Sequence, residues 1–378
     1  MNEQTERGAE PPREPKGRGG DWTEERGTSD EGRSRLEGGP EASGENRASG
    51  EDRALLVSHM DVTYKVRGQD RLALRDVSFS ITRGESYGLV GESGSGKSTA
   101  ALALVRYLPR NGRVSAGTIS INGQDPLAMG RRALRELRAR TVSMVYQEPG
   151  RALNPSLRVG RQIAEVFAIS GASSESAMAS AEDMLRKVQI SDPHRVMQRY
   201  PHELSGGMAQ RAVIAMALAA SPSLLILDEP TTALDATVEA EVLDLVAALR
   251  QEFDTSVLFI SHNLAVIAKM CDRVGVLYAG ELVEEGPARQ VFDDPQHPYT
   301  VGLMSSFPPL TGPIGRLTGI PGSPPDLAKP PSGCRFNPRC PHCDGDDQRL
   351  FRLQTGERPR LRAVETDHLV ACHLLEQR

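Results

Sequence analysis

An eight-residue segment combines the residue types that bind nucleotide phosphates. It reads Gly91-Glu-Ser-Gly-Ser-Gly-Lys-Ser98 and follows a short apolar stretch, 87–90, that predicts a strand. Such glycines let backbone N–H groups converge on phosphate oxygens at a helix N-terminus, while Lys97 adds a cation and Ser98 a hydroxyl for Mg²⁺. A flexible Gly/Ser turn is the alternative, and the flanking strand and helix disfavour it. The segment therefore predicts a phosphate-binding loop, whose expected ligand-binding residues are Gly91, Ser93, Gly94, Ser95, Gly96, Lys97, Ser98 and Thr99.

Two further segments do not identify a functional site when each is considered alone. Asp228 and Glu229 end an apolar strand predicted over 224–227, where a magnesium ligand and a base that activates water are needed. Acidic residues also serve as helix caps after strands, so this pair alone does not decide between the two roles. The turn Ser205-Gly-Gly207 opens a strongly apolar helix, 208–220, and this turn is either an anion site or only a helix cap.

The elements that must position these residues form an α/β pattern. Apolar residues alternate over 55–62 and 77–81, which predicts two early antiparallel strands. Residues 155–202 have a helical pattern without a strand, so we expect a helical insertion there. Five short apolar stretches separated by helical patterns predict a largely parallel sheet covered on both faces, with strands at 87–90, 142–146, 224–227, 257–260 and 274–277.

In their order along the chain, these motifs resemble those of ABC ATPases. Residues 204–210 resemble the ABC signature, and the resemblance covers about 55–286. It implies a P-loop NTPase core over 54–294, with an antiparallel β subdomain and a helical subdomain at about 150–206. Other elements of the family match Tyr64 (the aromatic that stacks on adenine), Gln147 (the Q-loop), Asp235 in Ala233-Leu-Asp235 (the D-loop) and His262 (the switch histidine).

The resemblance also implies a mechanism of ATP hydrolysis. Two such domains would pair head to tail, with ATP between the phosphate loop of one and Ser205, Gly206 and Gly207 of the other, and with Asp235 at the interface. Gln147 would reach the metal and the attacking water and would sense the membrane subunits. The implied catalytic residues are Glu229, His262, Gln147 and Lys97, and the implied Mg²⁺ ligands are Ser98, Gln147 and Asp228.

Several stretches look like the oligopeptide and dipeptide importer subfamily, which also contains nickel and glutathione transporters. They are 147–160, 297–300, 319–325 and 333–340, and Met208 is typical of the D-type subunit. The likeness implies that the chain hydrolyses ATP to power import of oligopeptides or dipeptides, with nickel, glutathione or another small solute as the alternative cargo. It also implies a second ATPase subunit, two membrane permeases and an extracytoplasmic binding protein as partners, at the cytoplasmic face of the plasma membrane. A soluble ABC ATPase outside transport is the alternative, but the chain has a single ATPase unit and no heptads.

Four cysteines lie in the C-terminal fifth of the chain. Cys334, Cys340, Cys343 and Cys372 supply soft ligands that suit an iron–sulfur cluster or zinc, and we expect a [4Fe–4S] cluster, with zinc as the alternative. In the subfamily the third cysteine usually lies seven residues after the second, where this chain has Asp347. Buried reduced cysteines are the third possibility. Residues 295–378 are therefore expected to form a small cysteine-containing C-terminal module.

Charge and hydropathy argue against a nucleic-acid partner, a signal peptide and a membrane span in this chain. The formal net charge is −5, and residues 1–53 carry 9 basic against 14 acidic residues, so the rest is balanced and indicates no nucleic-acid partner. The same 53 residues have few apolar side chains and predict a disordered acidic extension rather than a signal peptide. No stretch approaches the roughly 18 to 20 apolar residues of a membrane span, so a transport pathway must come from other subunits.

Overall fold

The protein is described by a computed structural model that covers residues 52–147, 152–232, 234–307, 318–343, 345 and 347–377. The predicted N-terminal extension lies outside these residues up to position 51, and Arg53 already belongs to the first strand. Ala233 of the D-loop also lies outside them. Within the described ranges, no helix has both the length and the apolar character needed to cross a bilayer.

A small antiparallel sheet comes first. It has the strand order β2-β1-β4 and is built from β1 (Arg53–Val66), β2 (Gln69–Thr82) and β4 (Gly112–Ile121). The apolar alternation predicted β1 and β2 but not β4. Most of β4 is exposed and it contains two glycines, because it is an edge strand with little apolar surface to bury.

Among the described residues, the main sheet has eight strands in the order β10-β11-β9-β8-β3-β7-β6-β5, where β9 is Glu281–Pro287, β10 is Arg362–Glu365 and β11 is His368–Val370. Its parallel part confirms the α/β prediction, since the five predicted strands pair side by side in the order β8-β3-β7-β6-β5. These strands are β3 (Ser86–Val90), β5 (Val142–Val145), β6 (Leu224–Asp228), β7 (Ser256–Ile260) and β8 (Arg273–Tyr278).

Alternate residues of these strands enter two separate cores. Leu225 and Leu227 pack against the helices on one face, whereas Leu224 and Ile226 pack against the small antiparallel sheet and the helix after the phosphate-binding loop. All four are buried, as expected for a parallel sheet covered on both sides. The strands are thereby fixed on both faces, and so are the loops at their carboxyl ends.

Helices connect the parallel strands. The described segment between β5 and β6 contains no strand, in keeping with a helical insertion, and Ser205 caps its last helix. In chain order the helices up to β8 are α1 (Lys97–Leu104), α2 (Arg131–Arg140), α3 (Val159–Ile169), α4 (Ser174–Lys187), α5 (Pro193–Met197), α6 (Gly206–Leu218), α7 (Ala236–Phe253) and α8 (Leu264–Met270).

The C-terminal region extends the main sheet. A hairpin of β10 (Arg362–Glu365) and β11 (His368–Val370) pairs antiparallel with β9 (Glu281–Pro287), which itself pairs with β8. A separate cysteine-containing module is therefore not confirmed, because part of this region belongs to the core sheet. The remaining helices are α9 (Ala288–Asp293), α10 (Pro298–Ser305) and α11 (Gln348–Gly356).

Candidate active site

The phosphate-binding loop joins β3 to α1 and depends on backbone conformations that favour glycine. Gly91, Gly94 and Gly96 have φ angles of 148°, 79° and 109°. A Cβ atom on Gly91 would lie 2.1 Å from the carbonyl oxygen of Leu277, so this glycine also allows close contact with β8. The carbonyl of Ser95 accepts a hydrogen bond from the N–H of Gly280 at 2.8 Å. The loop is thus held against the end of β8.

Lys97 starts α1 and is only 6% exposed. Its Nζ donates hydrogen bonds to the carbonyls of Gly91 at 2.7 Å and Glu92 at 3.0 Å, so its ammonium group lies within the curve of the loop. Burial lowers the pKa of Lys97, while the nearby carboxylates of Glu229 and Asp228 oppose that shift. This arrangement supplies a cation, with little competing water, where phosphate oxygens would bind.

Ser98 and Asp228 meet across the gap between α1 and β6. The Ser98 hydroxyl donates to Asp228 Oδ1 at 3.0 Å. Burial raises the pKa of Asp228, and the hydrogen bond from Ser98 acts in the opposite direction. A hydroxyl and a carboxylate oxygen are hard ligands of the kind that Mg²⁺ prefers, so the chemistry of this pair fits the predicted metal.

Glu229 is the centre of a group of polar side chains at the end of β6. Its Oε2 accepts hydrogen bonds from Gln147 Nε2 and from the Thr232 hydroxyl, both at 3.0 Å, and its Oε1 lies 3.2 Å from His262 Nδ1. Glu229 has a φ of 50°, an unusual conformation for a residue other than glycine. Its backbone N–H donates to the carbonyl of Ile260 at 2.9 Å, which supports the strained turn.

The structure thus brings together the adjacent carboxylates Asp228 and Glu229 with three residues from distant parts of the sequence, Lys97, Gln147 and His262, and it adds Thr232. Sequence reasoning did not single out Thr232. The available signal was a hydroxyl residue three positions after Glu229, within a turn in which the Thr232 N–H donates to the Glu229 carbonyl at 3.2 Å.

Tyr64 lies at the side of the phosphate-binding loop. Its hydroxyl is 3.4 Å from the Thr99 hydroxyl, and a Cβ atom on Gly112 would come within 2.7 Å of its ring. The ring is therefore packed between β4 and the start of α1, and it is half-buried. An aromatic face at this position lies near the nucleotide-binding loop, as stacking on a base would require.

The signature turn, Ser205-Gly-Gly207, is stabilised by contacts with its own and the next helix. The Ser205 hydroxyl accepts a hydrogen bond from the Met208 N–H at 3.4 Å and caps α6, while Asp235 caps α7 in the same way at 3.1 Å from the Val238 N–H. A Cβ atom on Gly207 would lie 2.7 Å from Val238, so the two helix starts are closely packed. Among the residues that the structure describes, no hydrogen bond or ion pair joins this turn to the phosphate-binding loop of the same chain.

The C-terminal cysteines do not form a metal centre in the described part of the chain. Cys334 lies close enough to Cys340 and Cys372 for their charges to influence it, but burial is the main cause that raises the pKa of its thiol to about 12. Within the described ranges, no group of three or more His, Cys, Asp or Glu side chains is placed to hold a metal ion. The predicted [4Fe–4S] cluster and its zinc alternative are therefore not supported by any complete metal-binding group among the described residues.

Comparisons with known sequences identify the family of this chain. The ABC transporter family matches residues 74–232, and the C-terminal region of oligopeptide/dipeptide transporters matches residues 283–346. The oligopeptide transport ATP-binding protein OppD of Salmonella typhimurium is 46% identical over 289 residues, which are 76% of this chain and 86% of that protein. OppD of Bacillus subtilis is 41% identical over 326 residues, 85% of this chain and 89% of that protein.

Solved structures share the fold. The ATP-binding cassette MJ0796, dimeric in a post-hydrolysis state with ADP and Pi, has a TM-score of 0.56 at 26% identity, covering 62% of this chain and 99% of that one. The protein cbiO1 from Clostridium perfringens, part of an ABC transporter complex, has a TM-score of 0.57 at 25% identity, covering 65% and 92%. The chain therefore belongs to the ABC transporter ATP-binding proteins, in the group that carries the oligopeptide/dipeptide transporter C-terminal region.

Proposed function

We propose that this chain hydrolyses ATP to power an ABC importer of oligopeptides. The observation that carries the proposal is the group around Glu229, because it combines a carboxylate with an amide, a hydroxyl and an imidazole beside the cation of Lys97, as a site of phosphoryl transfer would. The sequence likeness to OppD proteins over most of the chain supports the oligopeptide as the transported solute.

The site residues have distinct roles in this proposal. Glu229 accepts a proton from the attacking water, and the hydrogen bonds from Gln147 and Thr232 hold its carboxylate in position. Lys97 and the backbone N–H groups of the loop stabilise negative charge on the phosphates, and His262 does so at the γ-phosphate. When Mg²⁺ is bound, Ser98 and Asp228 hold it, and it neutralises charge on the phosphate oxygens.

A complete site needs a second ATPase subunit. Ser205 and Gly206 are exposed, and the hydrogen bonds of the signature turn lead to its own helix, which leaves its outer surface available to a nucleotide held by a partner. Asp235 is also exposed beside it. We expect the partner to be a different ATPase chain, as the resemblance to the oligopeptide importers implies.

Two membrane permeases and an extracytoplasmic binding protein complete the proposed importer, with this chain at the cytoplasmic face of the plasma membrane. An apolar groove of about 430 Å³ lies beside the Q-loop and fits a permease segment. Tyr107 and Ile169 line it and are 58% and 57% exposed, although both are apolar or aromatic. Tyr146, directly before Gln147, lines the same groove, so docking there would reach the Q-loop glutamine.

The metal prediction for the C-terminal cysteines stays separate from this function. Four thiols suit a [4Fe–4S] cluster by their chemistry, and the proximity of Cys334 to Cys340 and Cys372 is the only geometric feature in its favour among the described residues. Iron and zinc analysis of anaerobically purified protein, together with its visible absorbance, tests this prediction.

The replacement Glu229→Gln tests the proposed function. It should leave ATP binding intact but lower Mg²⁺-dependent phosphate release at least about a hundredfold, because the amide cannot accept the proton. Cells whose only copy of the gene carries this variant should also lose uptake of a labelled oligopeptide. Glu136→Gln, which alters an exposed carboxylate on α2, is the matched control. Unchanged phosphate release in Glu229→Gln would refute the assigned base, and unchanged peptide uptake without the gene would refute the importer.

A further inference from the structure

The C-terminal region contacts the phosphate-binding loop directly. Arg339 Nη1 donates to Glu92 Oε2 at 2.7 Å, and Nη2 donates to Glu92 Oε1 at 3.0 Å. The Arg339 side chain is 4% exposed and that of Glu92 is 27% exposed. A two-pronged, charge-assisted pair fixes both partners in orientation as well as in distance. A residue 247 positions away is therefore tied to the second residue of the loop.

The backbone of the same loop residue has its own partner. The Glu92 N–H donates to the Tyr299 hydroxyl at 2.8 Å. Tyr299 is fully buried on α10, and burial raises the pKa of its hydroxyl, which stays protonated at neutral pH. Both the side chain and the main chain of Glu92 are thus held by residues that follow the last parallel strand.

A second arginine supports the loop indirectly. Arg335 is 3% exposed, donates a hydrogen bond to the carbonyl of Ala279 and lies 3.4 Å from Glu281. Gly280, which follows Ala279, donates its N–H to the carbonyl of Ser95 within the phosphate-binding loop at 2.8 Å. Arg335 therefore fixes the turn between β8 and β9, and that turn contacts the loop.

Aromatic packing keeps these contacts rigid. The rings of Tyr278 and Tyr299 have centroids 4.5 Å apart, and the Phe336 ring lies 5.2 Å from Tyr278 and 5.5 Å from Tyr299. The guanidinium of Arg339 lies 5.8 Å from the centre of the Tyr278 ring. Because the Tyr299 ring packs against Tyr278 and Phe336, and the Arg339 guanidinium lies near the same two rings, both groups have little freedom to leave Glu92.

We propose that Arg339 and Tyr299 are positioning residues that hold the phosphate-binding loop in the conformation that binds ATP. Neither residue belongs to the nucleotide-binding loop or to the group around Glu229. They act through Glu92, whose place at the start of the loop determines where the following N–H groups are directed. A loop that is ordered beforehand binds its ligand more tightly, because less conformational entropy is lost on binding. The C-terminal region is then a working part of the ATP site.

A double-mutant cycle on the full-length chain tests this pair. Binding of a fluorescent ATP analogue with Mg²⁺ is measured for wild type, Arg339→Met, Glu92→Gln and the double variant. Each single change should weaken binding roughly threefold to thirtyfold, and the double variant should be no weaker than the worse single one. Arg349→Met, which alters an exposed arginine on α11, is the control and should bind as wild type. If the losses of binding free energy in the two single variants simply add in the double variant, the pair has no direct role.

Milder variants separate positioning from loss of folding. Tyr299→Phe keeps the packed ring and removes only the acceptor for the Glu92 N–H, so it should also weaken binding, with unchanged circular dichroism. Arg339→Lys keeps the charge but not the two-pronged geometry and should fall between wild type and Arg339→Met. In steady-state ATP hydrolysis, measured with the second ATPase subunit present, the KM for ATP should rise while kcat changes less than about twofold. Wild-type KM in both folded variants, or a fall in kcat alone, would refute the proposal; the test needs no permease or peptide.

Discussion

Single residues in this protein derive their roles from a few specific contacts. Glu229 and Glu136 are both glutamates, yet only Glu229 is held by an amide, a hydroxyl and an imidazole. The positive φ of Glu229 directs its side chain toward these partners, and such strain is common where function requires it. The type of residue could be read from the sequence, but the contact with Thr232 could not.

Buried His297 predicts a dependence of stability on pH. Its Nδ1 accepts the Tyr299 N–H at 3.0 Å, and burial lowers its pKa from 6.5 to about 4, with only partial opposition from Glu284. Above pH 6.5 the ring is neutral in both the folded and the unfolded chain. As the pH falls from about 6.5 towards 4, only the unfolded chain takes up the proton, so the free energy of unfolding should drop by up to about 3 kcal/mol.

Urea denaturation of wild type and His297→Asn at pH 7.5 and pH 5 measures this effect. Asparagine can still accept the Tyr299 N–H as a helix cap but does not titrate, so His297→Asn should lose less stability on acidification than wild type. His202→Asn, at an exposed position, is the control. The same loss in all three proteins would show that His297 does not cause it.

At the scale of elements, the hairpin of β10 and β11 shows how the C-terminal region is fixed to the core. His368 Nε2 lies 2.8 Å from Glu284 Oε1, and the two side chains are 2% and 0% exposed. Glu284 also accepts the N–H groups of Gln296 and His297. One buried carboxylate on β9 therefore holds β11 and the start of α10, which carries Tyr299.

Loss of this buried contact should destabilise the protein markedly. His368→Ala leaves the buried Glu284 carboxylate without its imidazole partner and should lower the free energy of unfolding by at least about 2 kcal/mol. His194→Ala, whose side chain is 79% exposed, should change it by less than about 1 kcal/mol. Adding Glu284→Gln to His368→Ala should recover part of the loss, since the unpaired charge is gone. Equal stabilities of His368→Ala and His194→Ala in denaturant titrations would contradict the structural role of the pair.

At the scale of the whole molecule, the groove beside the Q-loop is the expected permease contact. Ile169→Asp places a charge in this apolar groove, so recovery of the permeases with the tagged chain from gently solubilised membranes should fall at least about tenfold. Met178→Asp, which alters a 37% exposed apolar residue of α4 outside the groove lining, is the matched control. Mass spectrometry quantifies the partners. Equal recovery with both variants would remove the groove as the docking site, and ribosomes or DNA in place of permeases would contradict the importer.

The sequence by itself determined the type of fold and predicted most residues of the candidate ATP site. Local patterns are enough to predict the strands of the parallel sheet, because strands buried on both faces are continuous apolar runs. The phosphate-binding loop is also local, since its glycines, Lys97 and Ser98 lie within eight consecutive residues. Resemblance to the ABC family supplied the distant members, such as Gln147 and His262.

Only the tertiary structure decided which parts of the chain the C-terminal region contacts. The edge strand β4 has too little apolar surface to leave a pattern, and the pairing of β11 with β9 depends on register between residues far apart in the chain. The four cysteines suggested a separate metal module, whereas the folded chain brings Arg339 and Tyr299 of the same region against Glu92. Such contacts arise from packing between distant segments, and no local pattern in the sequence records them.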